Sequence, residues 1–432
     1  MSIRVLHTSD WHIDVSPKRA PRRQDHIHLM DQLISMIDIH QPQILVHSGD
    51  VFDRSLISAA GMKIFSDFLN RLSGTSVQEV CIIAGNHDPS AYLDAIGPFL
   101  DTNHVGKKIR FHLSTGLHKK EEDVVDCAKH CIMMDIDGEK IGVAMLPFVS
   151  AHRLGVYART ETQKNISLRE KFAGIFTAFA DHLADIDPDA PLLGMAHLNC
   201  WDEDDEDVSS THAPEKIHLG ETLDADTFDK RFNYVALGHF HNHRSMDGGR
   251  VCYSGSPIPF RRNEVGEKGV VLIEFDGKNR TKTFLPIENT LRESMVIEGN
   301  QDDWQDNLKQ ALLNHENKVV NGLVIPHYVY VKISDLTKTE NQCRRIAQII
   351  AQECERSLEI VSFIGKRKEE YEGLSYSAFA QERTFENFFT RLFNEDYTRK
   401  HHNAEDNDSD WVKNRDEERL AFEKLIRKWR QS

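Results

Sequence analysis

The stretch Ile3-Arg4-Val5-Leu6-His7-Thr8-Ser9-Asp10-Trp11-His12 is a short apolar run that ends on a carboxylate and an imidazole, two side chains typical of metal sites. Four later stretches have the same character. They are Gly49-Asp50-Val51-Phe52-Asp53, Gly85-Asn86-His87-Asp88, Met195-Ala196-His197-Leu198-Asn199 and Gly238-His239-Phe240-His241. Together they supply oxygen and imidazole ligands for two adjacent divalent ions, a pair that can bind the attacking and the leaving oxygen of a phosphoester.

Each ligand stretch follows an apolar run of strand length. The run before Asp50 is Ile44-Leu45-Val46-His47-Ser48, and similar runs occupy residues 80–84, 192–196 and 234–237. Helical patterns fill residues 26–40 and 60–72. This alternation predicts an α/β core of buried strands, and such sheets bind ligands at the carboxyl ends of their strands. Glycines next to the ligands are predicted to let the backbone turn sharply.

The candidate ligands divide into two sets that share Asp50, because one carboxylate can give an oxygen to each ion. Asp10 and His12 alternate on a segment predicted to be extended, which would point both side chains toward one ion. The first ion is predicted to bind Asp10, His12, Asp50 and His241. The second is predicted to bind Asp50, Asn86, His197 and His239. Each ion then keeps open positions for water and phosphate.

His87 stands beside Asn86 but is not needed to complete either ligand set. We predict that it is the catalytic general acid for the leaving oxygen, and that Asp88 orients it and favours its charged form. A structural histidine or a further ligand is the alternative for His87. Asp53 could orient a metal-bound histidine or cap a helix. His47 is predicted to be a packed strand residue.

The 432 residues suggest about two to three domains. Residues 1–285 contain every ligand stretch. Residues 286–365 have a β-α-β-α-β pattern and are predicted to form a small second α+β domain with no metal ligands of its own. Residues 366–432 are highly charged and helical in pattern. This tail could pack on its own domain or dock on a partner.

The composition excludes several classes of protein. No apolar run reaches the roughly 18 to 20 residues of a membrane span, and no signal sequence precedes the first ligand stretch, so a cytoplasmic protein is expected. Seven scattered cysteines favour reduced thiols over a disulfide framework. Cys127 and Cys131 flank His130, but a structural zinc site would need a second close pair.

The net charge of -15 argues against a protein that coats nucleic acid through overall basicity. It does not exclude a nuclease, because bound metal ions restore positive charge where phosphate binds. Two basic clusters, Lys18 to Arg23 and Arg261-Arg262, could contact phosphates or be solvated loops. The acidic run from Asp202 to Asp207 is predicted to be a solvated loop away from the substrate.

These stretches resemble the calcineurin-like metallophosphoesterase superfamily and, within it, the SbcD-type nucleases, the bacterial counterparts of the Mre-type nucleases. The resemblance rests on residues 7–12, 49–53, 84–88 and 236–241, and on Tyr253-Ser254-Gly255-Ser256-Pro257-Ile258-Pro259. It covers about residues 1 to 365. The segment between the third and fourth stretches and the acidic run after His197 follow no family motif, so the resemblance defines neither the path of the DNA nor the preferred DNA end.

The resemblance implies a β-sandwich flanked by helices and two divalent ions, with manganese as the expected metal. It implies a 3′ to 5′ exonuclease of double-stranded DNA ends that is also a single-strand endonuclease, acting in repair and recombination. It further implies that the small domain at residues 286–365 is a capping domain that binds DNA. The implied partner is an SbcC-type coiled-coil ATPase, bound by the small domain and tail, and the implied assembly is a homodimer within a heterotetramer that associates with the nucleoid.

Two other functions are compatible with parts of the sequence. Asp53-Arg54 is similar to phosphatases of the same superfamily, but Ser55 replaces their glycine and Asp88 their usual glutamate. An inactive scaffolding protein is the other alternative. The complete set of ligand positions argues against it.

Overall fold

The computed structural model describes residues 2–15, 22–53, 57–88, 90–100, 109–121, 124–156, 161–201, 223–260, 267–287, 294–300, 302–320, 323–325, 327–334 and 340–366. Several sequence predictions lie outside these residues. They concern the acidic run at 202–207, Lys18 and Arg19 of the first basic cluster, Arg261-Arg262 and the tail from residue 367 onward.

The strands of the described residues are numbered in chain order. They are β1 (Ile3–Thr8), β2 (Ile44–His47), β3 (Glu79–Ile83), β4 (Arg110–Ser114), β5 (Lys119–Glu121), β6 (Val124–Val125), β7 (Cys131–Ile136), β8 (Glu139–Leu146), β9 (Leu192–His197), β10 (Phe232–Gly238), β11 (Arg244–Met246), β12 (Val251–Tyr253), β13 (Gly269–Asp276), β14 (Asn279–Pro286), β15 (Ser294–Asn300), β16 (Lys318–Val320), β17 (Leu323–Ile325), β18 (His327–Ser334) and β19 (Leu358–Lys366).

The α-helices are α1 (Arg23–His40), α2 (Ala59–Leu72), α3 (Ser90–Leu100), α4 (Cys127–His130), α5 (Glu161–Ile186), α6 (Trp304–Leu313) and α7 (Glu340–Glu353). Helix α2 begins where the Ser58 hydroxyl accepts a hydrogen bond from the Gly61 amide at 3.1 Å. Its buried residues, among them Phe65, Phe68 and Leu72, recur at helical spacing. Among the described helices, none is long and apolar enough to span a membrane.

The described strands between Ile3 and Pro286 include two six-stranded mixed sheets. The first has the order β14-β13-β1-β2-β3-β4, with β1 to β4 parallel and β13 and β14 antiparallel. The second has the order β11-β12-β10-β9-β8-β7, with β12, β10, β9 and β8 parallel. Both sheets therefore direct several strand carboxyl ends to one edge, where α/β sheets bind ligands.

The two sheets pack face to face. Val46 and Cys81 of the first sheet share a buried cluster with Met195 and Ala236 of the second. Helices α1 and α2 cover the outer face of the first sheet. Helix α5 covers the outer face of the second with residues such as Phe176. This arrangement confirms the predicted β-sandwich flanked by helices.

The described residues within 294–366 include a three-stranded sheet, β15-β18-β19, and the helices α6 and α7. Trp304 and Leu308 of α6 are fully buried, as are Cys343 and Ala347 of α7. The short hairpin β16-β17 was missing from the β-α-β-α-β pattern inferred from sequence. The boundaries at 285 and 365 and the DNA-binding role of this region stay predictions.

The cysteines are all free thiols, as predicted. His130, between Cys127 and Cys131, is already engaged. Its Nδ1 lies 3.1 Å from the Ser114 hydroxyl and its Nε2 accepts a hydrogen bond from the His118 amide at 3.0 Å. Both ring nitrogens of His130 therefore already have hydrogen-bond partners among the described residues.

Candidate metal centre

The seven predicted ligands come together at the carboxyl ends of strands from both sheets. Strands β1, β2 and β3 of the first sheet lead to Asp10, His12, Asp50 and Asn86. Strands β9 and β10 of the second lead to His197, His239 and His241. Residues that are far apart in the chain, such as His12 and His241, therefore meet at one edge of the sandwich.

The first predicted set contains Asp10, His12 and His241, whose ligand atoms lie within 4.8 Å of one another. The Nε2 atoms of His12 and His241 are 3.1 Å apart. Such a close pair of imidazole nitrogens suits a cation that both can coordinate. All three residues are buried.

The second predicted set contains Asp50, His197 and His239, again within 4.8 Å. The Oδ1 atom of Asn86 lies 3.1 Å from His197 Nε2 and 2.9 Å from His239 Nδ1. Asp50 Oδ2 lies 3.4 Å from His197 Nε2 and 3.7 Å from His12 Nε2, between the two sets. A carboxylate in this position can bridge two ions.

The backbone at four of these residues is in the left-handed region. The φ angles are 52° at Asp10, 45° at His12, 57° at Asp50 and 103° at His239. The prediction that Asp10 and His12 lie on an extended segment was therefore wrong. Their amides donate to Gly49 O at 2.9 Å and Asp50 O at 3.0 Å, and these bonds hold a conformation that side-chain-bearing residues disfavour.

Burial and charge act in opposite directions on the buried groups. Burial raises the pKa of Asp10. Burial also opposes the charge of Asp50, but His197 and His12 outweigh it and hold the pKa of Asp50 below its usual range. Burial disfavours the charge of His197, yet the Asp50 carboxylate raises the pKa of His197 to about 9. This donor set of carboxylates, an amide and imidazoles fits divalent first-row metal ions.

His87 is exposed at the edge of this cluster. Its amide donates to Asp50 Oδ1 at 2.8 Å, and its ring Nδ1 lies 2.9 Å from the carbonyl oxygen of Asp53. A carbonyl only accepts, so Nδ1 carries the proton that is donated to it. The Nε2 atom is then the position at which a proton can be exchanged with a substrate.

Asp88 does not contact His87 in the predicted way. Its carboxylate accepts hydrogen bonds from the amides of Val51, Phe52 and Gly85 at 3.2, 2.9 and 2.9 Å. Burial, together with the nearby charge of Asp50, raises the pKa of Asp88 to about 6. The prediction that Asp88 orients His87 is corrected accordingly, since Asp88 ties the two ligand loops together through their backbones.

Asp53 and His47 show two different environments. Asp53 Oδ1 lies 3.5 Å from His12 Nδ1, but no hydrogen bond joins the two atoms, so the orienting role of Asp53 stays a prediction. His47 is buried and its ring packs edge-on against Trp11, with centroids 4.5 Å apart. It is a packed strand residue, as predicted.

Sequence reasoning missed several residues that support the ligands. Lys268 is buried and its ammonium donates to the His241 carbonyl at 2.8 Å. The Phe260 ring lies edge-on to His12, with centroids 5.1 Å apart. Neither residue lies in a ligand stretch, so no local signal in the sequence marks them.

The segment from Tyr253 to Pro259 was singled out only by resemblance, and the structure gives it a physical role. The Tyr253 hydroxyl donates to Leu198 O and accepts from the Cys200 amide, both at 2.7 Å. Ser254 Oγ lies 2.9 Å from Ser9 Oγ. The segment therefore fastens the loops that follow β1 and β9.

Comparison with known proteins agrees with this geometry. A family model described as calcineurin-like phosphoesterase matches residues 3–243. Three curated relatives are each named as the SbcD component of the nuclease SbcCD. The Rhodobacter capsulatus protein is 30% identical over 286 residues, covering 64% of this chain and 67% of that protein.

The other two relatives are more distant. The Staphylococcus saprophyticus protein is 23% identical over 302 residues, covering 70% of this chain and 73% of that protein. The Bacillus subtilis protein is 26% identical over 282 residues, covering 63% and 66%. The resemblance to SbcD-type nucleases inferred from sequence is confirmed, and the chain belongs to the calcineurin-like phosphoesterase family.

Proposed function

We propose that this protein is a metal-dependent DNA nuclease that hydrolyses phosphodiesters with two divalent ions. The observation that supports it most is the convergence of four imidazoles, two carboxylates and one amide at the edge of the sandwich. Two ions in this centre would neutralise the phosphate and lower the pKa of a bound water, the nucleophile. DNA is proposed as the substrate because the curated relatives are named as components of the SbcCD nuclease.

The chain's own residues have distinct parts in this proposal. Asp10, His12 and His241 would hold one ion, Asn86, His197 and His239 would hold the other, and Asp50 would be available to both. His87, with Nδ1 fixed on the Asp53 carbonyl, presents Nε2 to the substrate as the general acid. We propose 3′ to 5′ exonuclease activity on double-stranded ends and endonuclease activity on single strands and hairpins.

Metal removal tests the first part of this proposal. We expect dialysis against EDTA to abolish nucleotide release from linear duplex DNA, and manganese to restore it. Magnesium and zinc added to parallel samples would identify the preferred ion. Turnover of a phosphopeptide faster than DNA, at equal manganese, would instead favour the phosphatase function.

The proposed partner is an SbcC-type coiled-coil ATPase, bound as part of a heterotetramer with two copies of this chain. We expect the full chain to co-elute with such an ATPase in size-exclusion chromatography. A chain that ends at Lys366 is expected to lose this association but to keep manganese-dependent cleavage. Equal co-elution of both chains would assign the docking to residues before 367.

A further inference from the structure

A chain of buried polar groups crosses the otherwise apolar space between the two sheets. His7 of β1 is fully buried. Its Nδ1 lies 3.0 Å from the Tyr234 hydroxyl and its Nε2 lies 3.2 Å from the Ser48 hydroxyl. The Ser48 hydroxyl also lies 3.0 Å from the carbonyl oxygen of Ala236. We call these four groups the His7 bridge.

The donor and the acceptor of each hydrogen bond in the bridge can be assigned by starting from the Ala236 carbonyl. The Ala236 carbonyl can only accept, so the single Ser48 proton is donated to it. The Ser48 oxygen must then accept the Nε2–H of His7. Burial lowers the pKa of His7 to about 3, so the ring is neutral and its Nδ1 accepts the Tyr234 proton. The donor and the acceptor of all three hydrogen bonds in the bridge are thereby assigned.

The bridge links the two sheets near the point where each contributes its metal ligands. His7 lies on β1 and Ser48 directly follows β2, both in the first sheet. Tyr234 and Ala236 lie on β10 of the second. Apolar contacts can adjust when two sheets shift relative to each other, whereas a shift that leaves a buried hydrogen-bonding group unpaired is unfavourable. The bridge therefore favours one register of the sheets.

Ser48 also connects the bridge to a predicted ligand. Its carbonyl oxygen lies 2.8 Å from His197 Nδ1, which donates its proton and leaves Nε2 free for a metal. The backbone of Gly238 packs tightly against the Ser48 carbonyl and the His197 ring. A Cβ on Gly238 would lie 1.9 Å from Ser48 O and 2.9 Å from His197 Nδ1.

We propose that the His7 bridge positions the two halves of the metal centre, by fixing the register between the sheets and by holding the Ser48 carbonyl that sets the tautomer of His197. His7, Ser48 and Tyr234 are thus positioning residues that contact neither metal nor substrate. This inference rests on the proposed two-metal function.

The test measures metal binding rather than cleavage alone. Tyr234→Phe removes one donor and Ser48→Ala removes the shared hydroxyl, while both keep the packing nearly unchanged. We expect manganese affinity, measured by calorimetry on the metal-free full chain, to fall by about 10- to 100-fold. We also expect the electron paramagnetic resonance signal of a coupled manganese pair to weaken at equal loading.

Ser114→Ala is the matched control. Ser114 is a buried serine of the same first sheet and its hydroxyl also pairs with a buried histidine, His130, at 3.1 Å. The same truncation there is expected to lower the melting temperature without changing manganese affinity. His7→Leu provides a further check, since an apolar replacement of similar size can preserve stability while removing the whole bridge.

The outcomes separate the inference from the function on which it rests. If the unaltered chain binds no manganese pair, the proposed function fails. If it binds a pair and the bridge variants bind it equally tightly with the same coupled signal, the positioning role of the bridge is wrong. Reduced affinity in the Ser114 control as well would attribute the effect to general destabilisation and would also overturn the inference.

Discussion

Asp50→Asn is expected to remove DNA cleavage by about three orders of magnitude or more and to reduce bound manganese below two ions per chain. Asp50 Oδ2 lies within 3.7 Å of His12 and 3.4 Å of His197, so it is the one carboxylate shared by both predicted ligand sets. An amide supplies one neutral oxygen and cannot bridge two cations as a carboxylate does. A bound metal stabilises the transition state by several kcal/mol, and about 4 kcal/mol corresponds to roughly a thousandfold in rate.

The control for Asp50 is Glu79→Gln, a buried carboxylate at the opposite end of the same parallel strands. Glu79 accepts from His112 at 2.8 Å and pairs with Arg110, and the pKa of Glu79 is lowered because these bonds outweigh its burial. The Glu79→Gln substitution is expected to lower the free energy of unfolding, whereas the bound manganese and the rate of DNA cleavage are expected to stay unchanged. Full manganese content in Asp50→Asn, determined by elemental analysis, would show that the Asp50 carboxylate is not needed to bind both ions.

The elements that carry the ligands could be predicted from sequence because their signals are local. A buried strand such as β2 is a continuous apolar run, and the residue that follows it at the sheet edge is nearby in the chain. Five such runs, each ending in ligand-type side chains, determine both the α/β core and the members of the candidate centre. The sandwich followed from the family resemblance rather than from this periodicity.

The conformation of the ligand loops could not be predicted, because it depends on bonds between distant segments. The left-handed backbone of Asp10 is held by the Gly49 carbonyl, and Asp88 turns to backbone amides rather than to His87. Gly238 was expected to allow a turn. The structure shows that it provides space for the close approach of Ser48, a residue from a distant part of the chain.

The His7 bridge has no signal in the sequence for the same reason. His7 and Tyr234 are separated by 227 residues, and a histidine in an apolar run is equally compatible with simple packing. His47, on the adjoining strand β2, is a histidine of that simpler kind. Only the three-dimensional structure distinguishes a hydrogen-bonded histidine such as His7 from a packed histidine such as His47.

His87→Gln is expected to lower the rate of DNA cleavage by about 10²- to 10⁴-fold while two manganese ions stay bound. Glutamine keeps polar atoms near the Asp53 carbonyl but cannot transfer a proton to the leaving oxygen. A nucleotide p-nitrophenyl ester supplies the decisive comparison, because its leaving group departs readily without protonation. The variant should therefore lose much less activity on this ester than on DNA.

His118→Gln serves as the control, since this histidine is exposed and lies outside the metal centre. This substitution should leave the cleavage rates of DNA and of the nucleotide ester unchanged. The alternative role of His87 is that of a further ligand, because its ring shares a 4.8 Å cluster with His12 and Asp53. In that case the His87 variant would lose manganese and cleave both substrates equally poorly. Equal losses with full manganese content would also contradict proton donation, since general-acid catalysis must depend on the leaving group.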